Sequence, residues 1–363
     1  MSKPRLIAFY LPQFYPTKEN DEWWQKGFTE WTNVGNAKPL FHGHYQPRVP
    51  ADLGYYDLRV PEVREEQAQL AREAGIEGFC YWHYWFAGRR LLDRVFNEVI
   101  ERGKPDFPFC LCWANHSWYK KTWDSTKPDK LLIEQTYPGI QDCIQHFYTM
   151  LPAFKDKRYI KVNGKLLFGV FAAEDISKEQ FLLFSETWNH LAKENGLEGF
   201  HFFGFTYYSN LYDDIIGKGF DHITVDYLLE MREIRNLLSK ITRKINRWMF
   251  GRPNMIFEYQ KYVDYSLRHF NPSRLEYPCI LPNYDHSPRS ANRGYILHHS
   301  TPEKWFEFCS KVFEMYSNRS HEENIVFLKA WNEWGEGNYL EPDMRYGRKY
   351  LDALKKALDE CND

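Results

Sequence analysis

The feature of this sequence that most restricts its fold is a rhythm. Eight short apolar runs, at residues 3–11, 78–82, 108–113, 166–171, 200–206, 222–225, 279–282 and 325–328, alternate with stretches of helical spacing. Short continuous apolar runs are what strands of a parallel sheet require, since such a sheet is covered on both faces. The helical stretches include 60–74, begun by Pro61 and closed by Gly75, then 90–102, 140–151, 178–194, 255–270, 302–316 and 345–358. Eight strand-helix units in 363 residues predict an α/β fold, a (β/α)8 TIM barrel with long βα-loop insertions, as one domain over residues 1–363. The competing architecture, a doubly wound open sheet, asks for a Gly-x-Gly-x-x-Gly turn after its first strand. Tyr10-Leu-Pro-Gln13 stands there instead.

A barrel of this kind carries its active site at the carboxyl ends of its strands. Polar and aromatic residues cluster at those ends here: Tyr10, His83, Trp113, Asn115, Tyr207, Asp285 and Glu333. The last strand leads into Trp331-Asn-Glu-Trp-Gly-Glu-Gly-Asn-Tyr-Leu-Glu-Pro342. Two carboxylates three residues apart, Glu333 and Glu336, suit glycosidic-bond chemistry, in which one carboxyl handles the proton and the other the charge developing at the sugar carbon. If the turn between them is roughly helical, their β-carbons lie about 5–6 Å apart. Gly335 and Gly337 leave the backbone free to make it. The plainer alternative is a solvated acidic loop, because Glu-x-x-Glu is common on helices; the flanking Trp331, Trp334 and Tyr339 argue against it. Aromatic residues make up 18% of the chain, and many stand at strand ends, where flat rings suit the apolar faces of sugars.

Charge excludes some partners. A net charge of −2 gives no global field to recruit nucleic acid. One segment departs from the barrel rhythm, an insertion at about 228–254. Within it, residues 232–252 carry seven basic residues against Glu233, with an apolar helical face. Such a helix either packs that face on the barrel or makes peripheral contact with an anionic membrane surface. Seven cysteines without framework spacing, four of them (Cys80, Cys110, Cys112, Cys279) in apolar runs, predict buried thiols in a reducing compartment. No apolar leader or spanning segment is evident, so the expected location is cytoplasmic, or peripheral to the inner membrane. His42, His44 and His116 lack metal-ligand spacing, and no metal or other cofactor is expected.

Several stretches together carry a family likeness: Gly27-Phe-Thr-Glu-Trp-Thr-Asn33, Gly43-His-Tyr-Gln-Pro47, Tyr81-Trp-His-Tyr-Trp85, Cys110-Leu-Cys-Trp-Ala-Asn115 and the motif from Trp331 to Pro342. From about Arg5 to Leu354 the chain resembles the WbsX-like proteins of bacterial lipopolysaccharide and polysaccharide (O-antigen) biosynthesis, relatives of glycoside hydrolase family 99. That resemblance implies a (β/α)8 barrel acting with retention, without a metal, on mannose-type internal bonds. It implies Glu333 as the base that assists attack by the substrate's own 2-hydroxyl through an epoxide-like intermediate. Glu336 is then the acid that protonates the leaving oxygen and later activates water or an acceptor hydroxyl. Those roles ask for a raised pKa at Glu336 and an ionised Glu333, and the sequence leaves open which of the two is raised. Relatives continue after Trp-Ala-Asn with Glu-Asn-Trp, whereas this chain has His116-Ser117-Trp118, which leaves the identity of the sugar open.

Around the pair, Trp331, Asn332, Trp113 and Asn115 are the expected substrate contacts. Glu30 and Trp31 either line a donor-sugar subsite or cap and pack a helix. His83 binds a sugar hydroxyl or satisfies itself in the core, and Tyr207 and Asp285 stand at later strand ends. Arg289 and Arg293 either grip an acidic group or sit in a polar surface loop. The leading expectation is an enzyme that cleaves or transfers a glycosidic bond of an oligosaccharide or polysaccharide. The alternatives are a glycosyltransferase with a nucleotide- or lipid-linked donor and a glycan-binding barrel without catalysis. No Asp-x-Asp motif is present to seat a nucleotide sugar.

Overall fold

A computed structural model of the chain describes residues 2–120, 128–233, 253 and 255–361. Eight strands, β1 (Arg5–Tyr10), β2 (Gly78–Phe86), β3 (Phe109–Trp113), β4 (Lys165–Val170), β5 (Phe200–Thr206), β6 (His222–Val225), β7 (Glu276–Ile280) and β8 (Ile325–Leu328), lie side by side in chain order. Every pairing around the ring is parallel, from Tyr10 opposite Tyr81 and Cys80 opposite Cys110 to Cys279 opposite Phe327. The ring closes where β1 pairs with β8, Ala8 opposite Leu328. This is the closed parallel barrel that the alternation of strands and helices predicts.

Among the described residues eight helices surround it: α1 (Pro61–Glu73), α2 (Arg94–Arg102), α3 (Ile140–Phe154), α4 (Lys178–Glu194), α5 (Tyr212–Lys218), α6 (Tyr259–His269), α7 (Pro302–Tyr316) and α8 (Lys349–Glu360). Helix α1 starts with Pro61 at its first turn, where a missing N–H costs nothing, and Gly75 just past its end adopts φ +82°. Helix α4 carries a capping box from Ser177 and Gln180.

Inside the barrel the pleat sorts the strands. Phe9 stacks on Trp82 with ring centroids 4.7 Å apart, and meets Phe327 at 5.1 Å and Phe205 at 5.6 Å. Gly169 on β4 makes room for such rings, because a β-carbon there would run into the Phe203 ring and the Cys112 sulfur. Burying each of these rings contributes roughly 1.5–3 kcal/mol.

Three expectations are corrected. Residues 255–270 do not form one helix: Met255–Glu258 is a strand, parallel to Tyr295–His298, and only then does α6 begin. A four-residue run rich in β-branched and aromatic side chains carries no period that separates strand from helix. Helix α5 was not expected at all, because seven residues make just under two turns, too few to show a helical period. Residues 90–102 open with Arg89–Leu91, which folds back antiparallel on the end of β2 before α2 starts. The long segment after β1 holds two short helices, Lys18–Trp23 and Glu30–Asn36. The insertion after β3 forms a hairpin of Trp118–Lys120 with Lys130–Ile133.

The basic amphipathic stretch expected at 232–252 lies outside the described residues, except that 232–233 end the short helix Leu228–Glu233. Among the described residues no helix is long and apolar enough to cross a membrane. All seven cysteines are free thiols, and Cys80, Cys110, Cys112 and Cys279 are buried as expected.

Candidate active site

The backbone after β8 builds the site. The Lys329 N–H donates to the Ile280 carbonyl on β7, and the Trp331 N–H donates to the Phe9 carbonyl on β1, so the chain leaves the barrel pinned on both sides. Asn332 then imitates a strand neighbour. Its Oδ1 accepts from the Leu11 N–H at 2.7 Å while its Nδ2 donates to the Leu11 carbonyl at 3.1 Å. Residues Asn332–Glu333 pair antiparallel with Asn338–Tyr339, and the reversal between them is a single tight helical turn, Trp334–Glu336. Gly337, at φ +52°, closes that turn in the left-handed region. In so tight a turn, residues three apart nearly eclipse one another. Glu333 and Glu336 therefore open into one cleft of about 200 Å3 at the carboxyl end of the barrel.

That cleft is walled by aromatics and floored by charge. Trp82, Tyr84, Trp118, Phe171 and Tyr207 line it, with Gln13, His116, Arg289 and Lys329. Arg289 comes from the short helix Ser287–Ser290 and joins two acids. Its Nη1 donates to Glu336 Oε1 at 2.6 Å, and its Nε donates to Glu30 Oε2 at 3.1 Å. Gly335 permits this approach, since a β-carbon there would collide with the Glu30 carboxylate. At the other side Lys329 Nζ donates to Asp226 Oδ2 at 2.8 Å and to the Tyr207 hydroxyl at 3.0 Å. An ammonium only donates, so the Tyr207 oxygen accepts from it and keeps its own proton free to donate.

These neighbours split the two carboxyls. Burial raises Glu333 to about 8, the charge of Glu336 adds to the rise, and Lys329 and Arg289 oppose it. One Glu333 oxygen is buried with no hydrogen-bond partner. Burial also pushes Glu336 upward, but Arg289, His286 and Lys329 outweigh it and hold that carboxyl below its ordinary value. His286 Nε2 stands 3.9 Å from Glu336 Oε1. Lys329 remains charged: burial pulls its pKa down, and Asp226 more than restores it. Near neutral pH the pair thus holds one proton, on Glu333.

Of the other expected site residues, Tyr207 and Arg289 reach the cleft. The strand pleat explains most of the rest. On β1 Phe9 points inward, so Tyr10 points outward to α1, where its hydroxyl donates to Gln67 at 2.7 Å. On β2 Trp82 and Tyr84 face the cleft, so His83 faces outward and lies 2.7 Å from His146 of α3. Trp113 likewise points outward, with its ring 5.5 Å from Phe184 of α4. Asn115 ties β3 to the end of β4 through both the N–H and the carbonyl of Ala172. Trp331 is fully buried against Phe79, and Asn332 is the clip to Leu11.

Trp31 packs between Phe14, Tyr56 and Trp334, its Nε1 donating to the Tyr56 carbonyl. Glu30 is neither a cap nor a lining residue but the support behind Arg289; the capping box is formed by Thr29 and Thr32. Asp285 faces a second polar pocket, of about 120 Å3, and accepts from His44 Nε2 at 2.8 Å and Gln46 Nε2 at 2.7 Å. The His44 Nδ1 accepts from the Leu40 N–H, which fixes the proton on Nε2. A third acid of the motif, Glu341, is buried among Tyr56, Gln67 and Trp334 and does not line the cleft.

Sequence reasoning missed Trp82, Tyr84, Gln13, Phe171 and Lys329. Trp82, Tyr84 and Lys329 had a signal: they continue the alternation that starts from inward residues of their own strands.

Comparison with known proteins supports this fold. A family model described as Glycosyltransferase WbsX matches residues 6–354. Two curated relatives, each named uncharacterized protein WxcX, come from Xanthomonas campestris pv. campestris strains B100 and ATCC 33913. Each is 35% identical over 362 residues, which is 99% of this chain and 50% of the relative. The chain therefore spans about half the length of the curated relatives it matches. Among solved structures, a GH99 endo-alpha-mannosidase from Bacteroides thetaiotaomicron superposes with a TM-score of 0.61 at 12% identity, covering 100% of this chain and 98% of the other. A glycoside hydrolase-like protein superposes with a TM-score of 0.61 at 16% identity, covering 99% and 94%. Likeness at that identity establishes a shared barrel and nothing finer.

Proposed function

The chain belongs to the WbsX glycosyltransferase family, and from that premise we propose that it is a carbohydrate-active enzyme that breaks a glycosidic bond and passes the sugar to water or to an acceptor hydroxyl. The observation that carries this reading is the pair of carboxyls, Glu333 and Glu336, opening together into an aromatic-walled cleft. One carboxyl gives its proton to the departing glycosidic oxygen, which leaves with the bonding electrons. The other takes the proton of the sugar's 2-hydroxyl, whose oxygen bonds to the anomeric carbon. An acceptor oxygen then opens that ring, losing its proton to the first carboxylate, while the second returns a proton to O2. Both steps displace at one carbon, so configuration is retained.

A glycosidic donor suits this cleft better than a sugar diphosphate. Among the described residues its two cations, Arg289 and Lys329, are already matched to carboxylates: Arg289 to Glu30 and Glu336, Lys329 to Asp226. A diphosphate would need such charges unmatched. Bacterial surface polysaccharide, with mannose-type linkages as the resemblance implies, is the proposed substrate class. The GH99 neighbour named as an endo-alpha-mannosidase supports the same direction.

The roles of the two carboxyls have two readings. Family likeness makes Glu336 the proton donor, which requires substrate to displace Arg289 and draw the proton across. The ion pair at 2.6 Å favours the reverse, with Glu333 as donor. Aryl glycosides with acidic leaving groups separate them, because such groups depart without protonation. If Glu336→Gln still turns over a dinitrophenyl glycoside while losing the natural glycan, Glu336 is the donor. The same behaviour in Glu333→Gln assigns the donor role to Glu333. Full activity of both variants on the natural glycan would refute the pair.

A further inference from the structure

The cleft does not stop at Trp118. The hairpin of Trp118–Lys120 and Lys130–Ile133 shifts register between Trp118 and Tyr119, and Trp118 and Lys120 share a first face, since both reach Trp23, while Tyr119 lies opposite Leu131. Against the first face lies the end of helix Lys18–Trp23. The Trp23 ring meets Trp118 edge-on with centroids 5.9 Å apart. Lys120 Nζ donates to the Trp23 carbonyl at 2.7 Å and stands 5.3 Å from the centre of the Trp24 ring. Trp24 in turn stacks on Phe28 at 5.7 Å. Outside this row, Arg89 and Glu19 join at 3.1 Å and tie the helix to the hairpin at the end of β2.

An indole that is 43% exposed, held by Lys120 and by Phe28 and next in the chain to a ring that meets Trp118 of the cleft wall, presents apolar surface to solvent beside the cleft. Its cation contact and its stack hold the ring in one orientation, which lowers what a ligand must order on arrival. A flat amphipathic ring so held suits the apolar face of a sugar, with hydroxyls left free to meet water. A protein partner would ask for a broader contiguous apolar patch than one row of rings.

We propose that Trp23 and Trp24, running outward from Trp118, form a distal subsite that binds the continuing chain of an oligosaccharide or polysaccharide whose reacting bond lies at Glu333 and Glu336. This rests on the reading of the cleft as a site of glycosidic-bond chemistry, and it deepens that reading: the substrate is a polymer held several sugars from the bond that reacts.

The test is affinity as a function of glycan length, measured calorimetrically on the non-reacting Glu336→Gln protein with a size ladder cut from bacterial surface polysaccharide. Affinity rises with length up to the span of the row. Adding Trp24→Ala removes that rise, lowering affinity for long glycans by about tenfold while the shortest bind as before. Tyr148→Ala, on the exposed face of α3, keeps the rise and serves as the surface control. A length dependence unchanged by Trp24→Ala, or absent from the start, overturns the subsite and leaves the function standing. A ladder that binds at no length removes both. A change of oligomeric state on light scattering, with no change in glycan affinity, also overturns the subsite and reassigns the row to self-association.

Discussion

Glu333 and Glu336 differ by three positions and by everything around them. Because the folded pKa of Glu333 is raised to about 8, protonated Glu333 favours the fold. That contribution is complete below the ordinary carboxyl range and disappears as pH climbs through about 8. Glu333→Gln, which cannot ionise, should match the wild-type melting temperature at low pH and exceed it above pH 8. Equal melting curves at high pH would contradict the assignment. Glu336 has the opposite sign: its depressed pKa contributes stability above the ordinary range, lost as pH falls through the folded value. Activity should therefore follow a bell with an alkaline limb near pH 8. Arg289→Gln should shift the acid limb upward and cut turnover by roughly 10–100-fold, as expected when a positioned charge is lost. An unmoved acid limb would mean that Arg289 does not hold Glu336.

At the scale of elements, the strands place some side chains for chemistry and hide others for support. Asp226 and Lys329 form a buried pair between β6 and β8 with side chains 0% and 3% exposed. Asp226→Ala strands the ammonium and should cost about 3–5 kcal/mol of stability, read from denaturant unfolding. A loss within 1 kcal/mol would mean that water reaches the site. Tyr10→Phe removes only the bond to Gln67 and should cost about 1 kcal/mol without changing KM, because Tyr10 faces α1.

This sorting is where the sequence stopped being legible. Strand positions could be read from apolar runs, and the carboxyl pair from two glutamates set among tryptophans. Which residue of each strand end faces inward could not, since a shift of one residue exchanges His83 for Trp82 or Tyr84. The Glu30 to Arg289 contact spans 259 positions, and no local pattern encodes it. Met255–Glu258 failed for another reason: the run is too short for period to decide between strand and helix.

Across the whole molecule, closure of β1 on β8 brings the first and last strands together, so the loops that follow both frame one cleft. The first loop contributes Gln13 to the lining and Glu30 as the support behind Arg289, and the last contributes Lys329 and the two glutamates. Aromatic residues divide between these tasks: Phe9, Phe203 and Phe327 fill the barrel, while Trp82, Tyr84, Trp118 and Tyr207 wall its mouth. The central claim is that this mouth makes or breaks glycosidic bonds through Glu333 and Glu336. It is tested most directly by turnover of the natural polysaccharide by wild type, Glu333→Gln and Glu336→Gln, each with its near-ultraviolet circular dichroism recorded to confirm the fold. The account predicts that both variants keep the wild-type spectrum and lose at least about 100-fold in kcat/KM, the scale of one lost proton-transfer group. Wild-type rates in either correctly folded variant would contradict it.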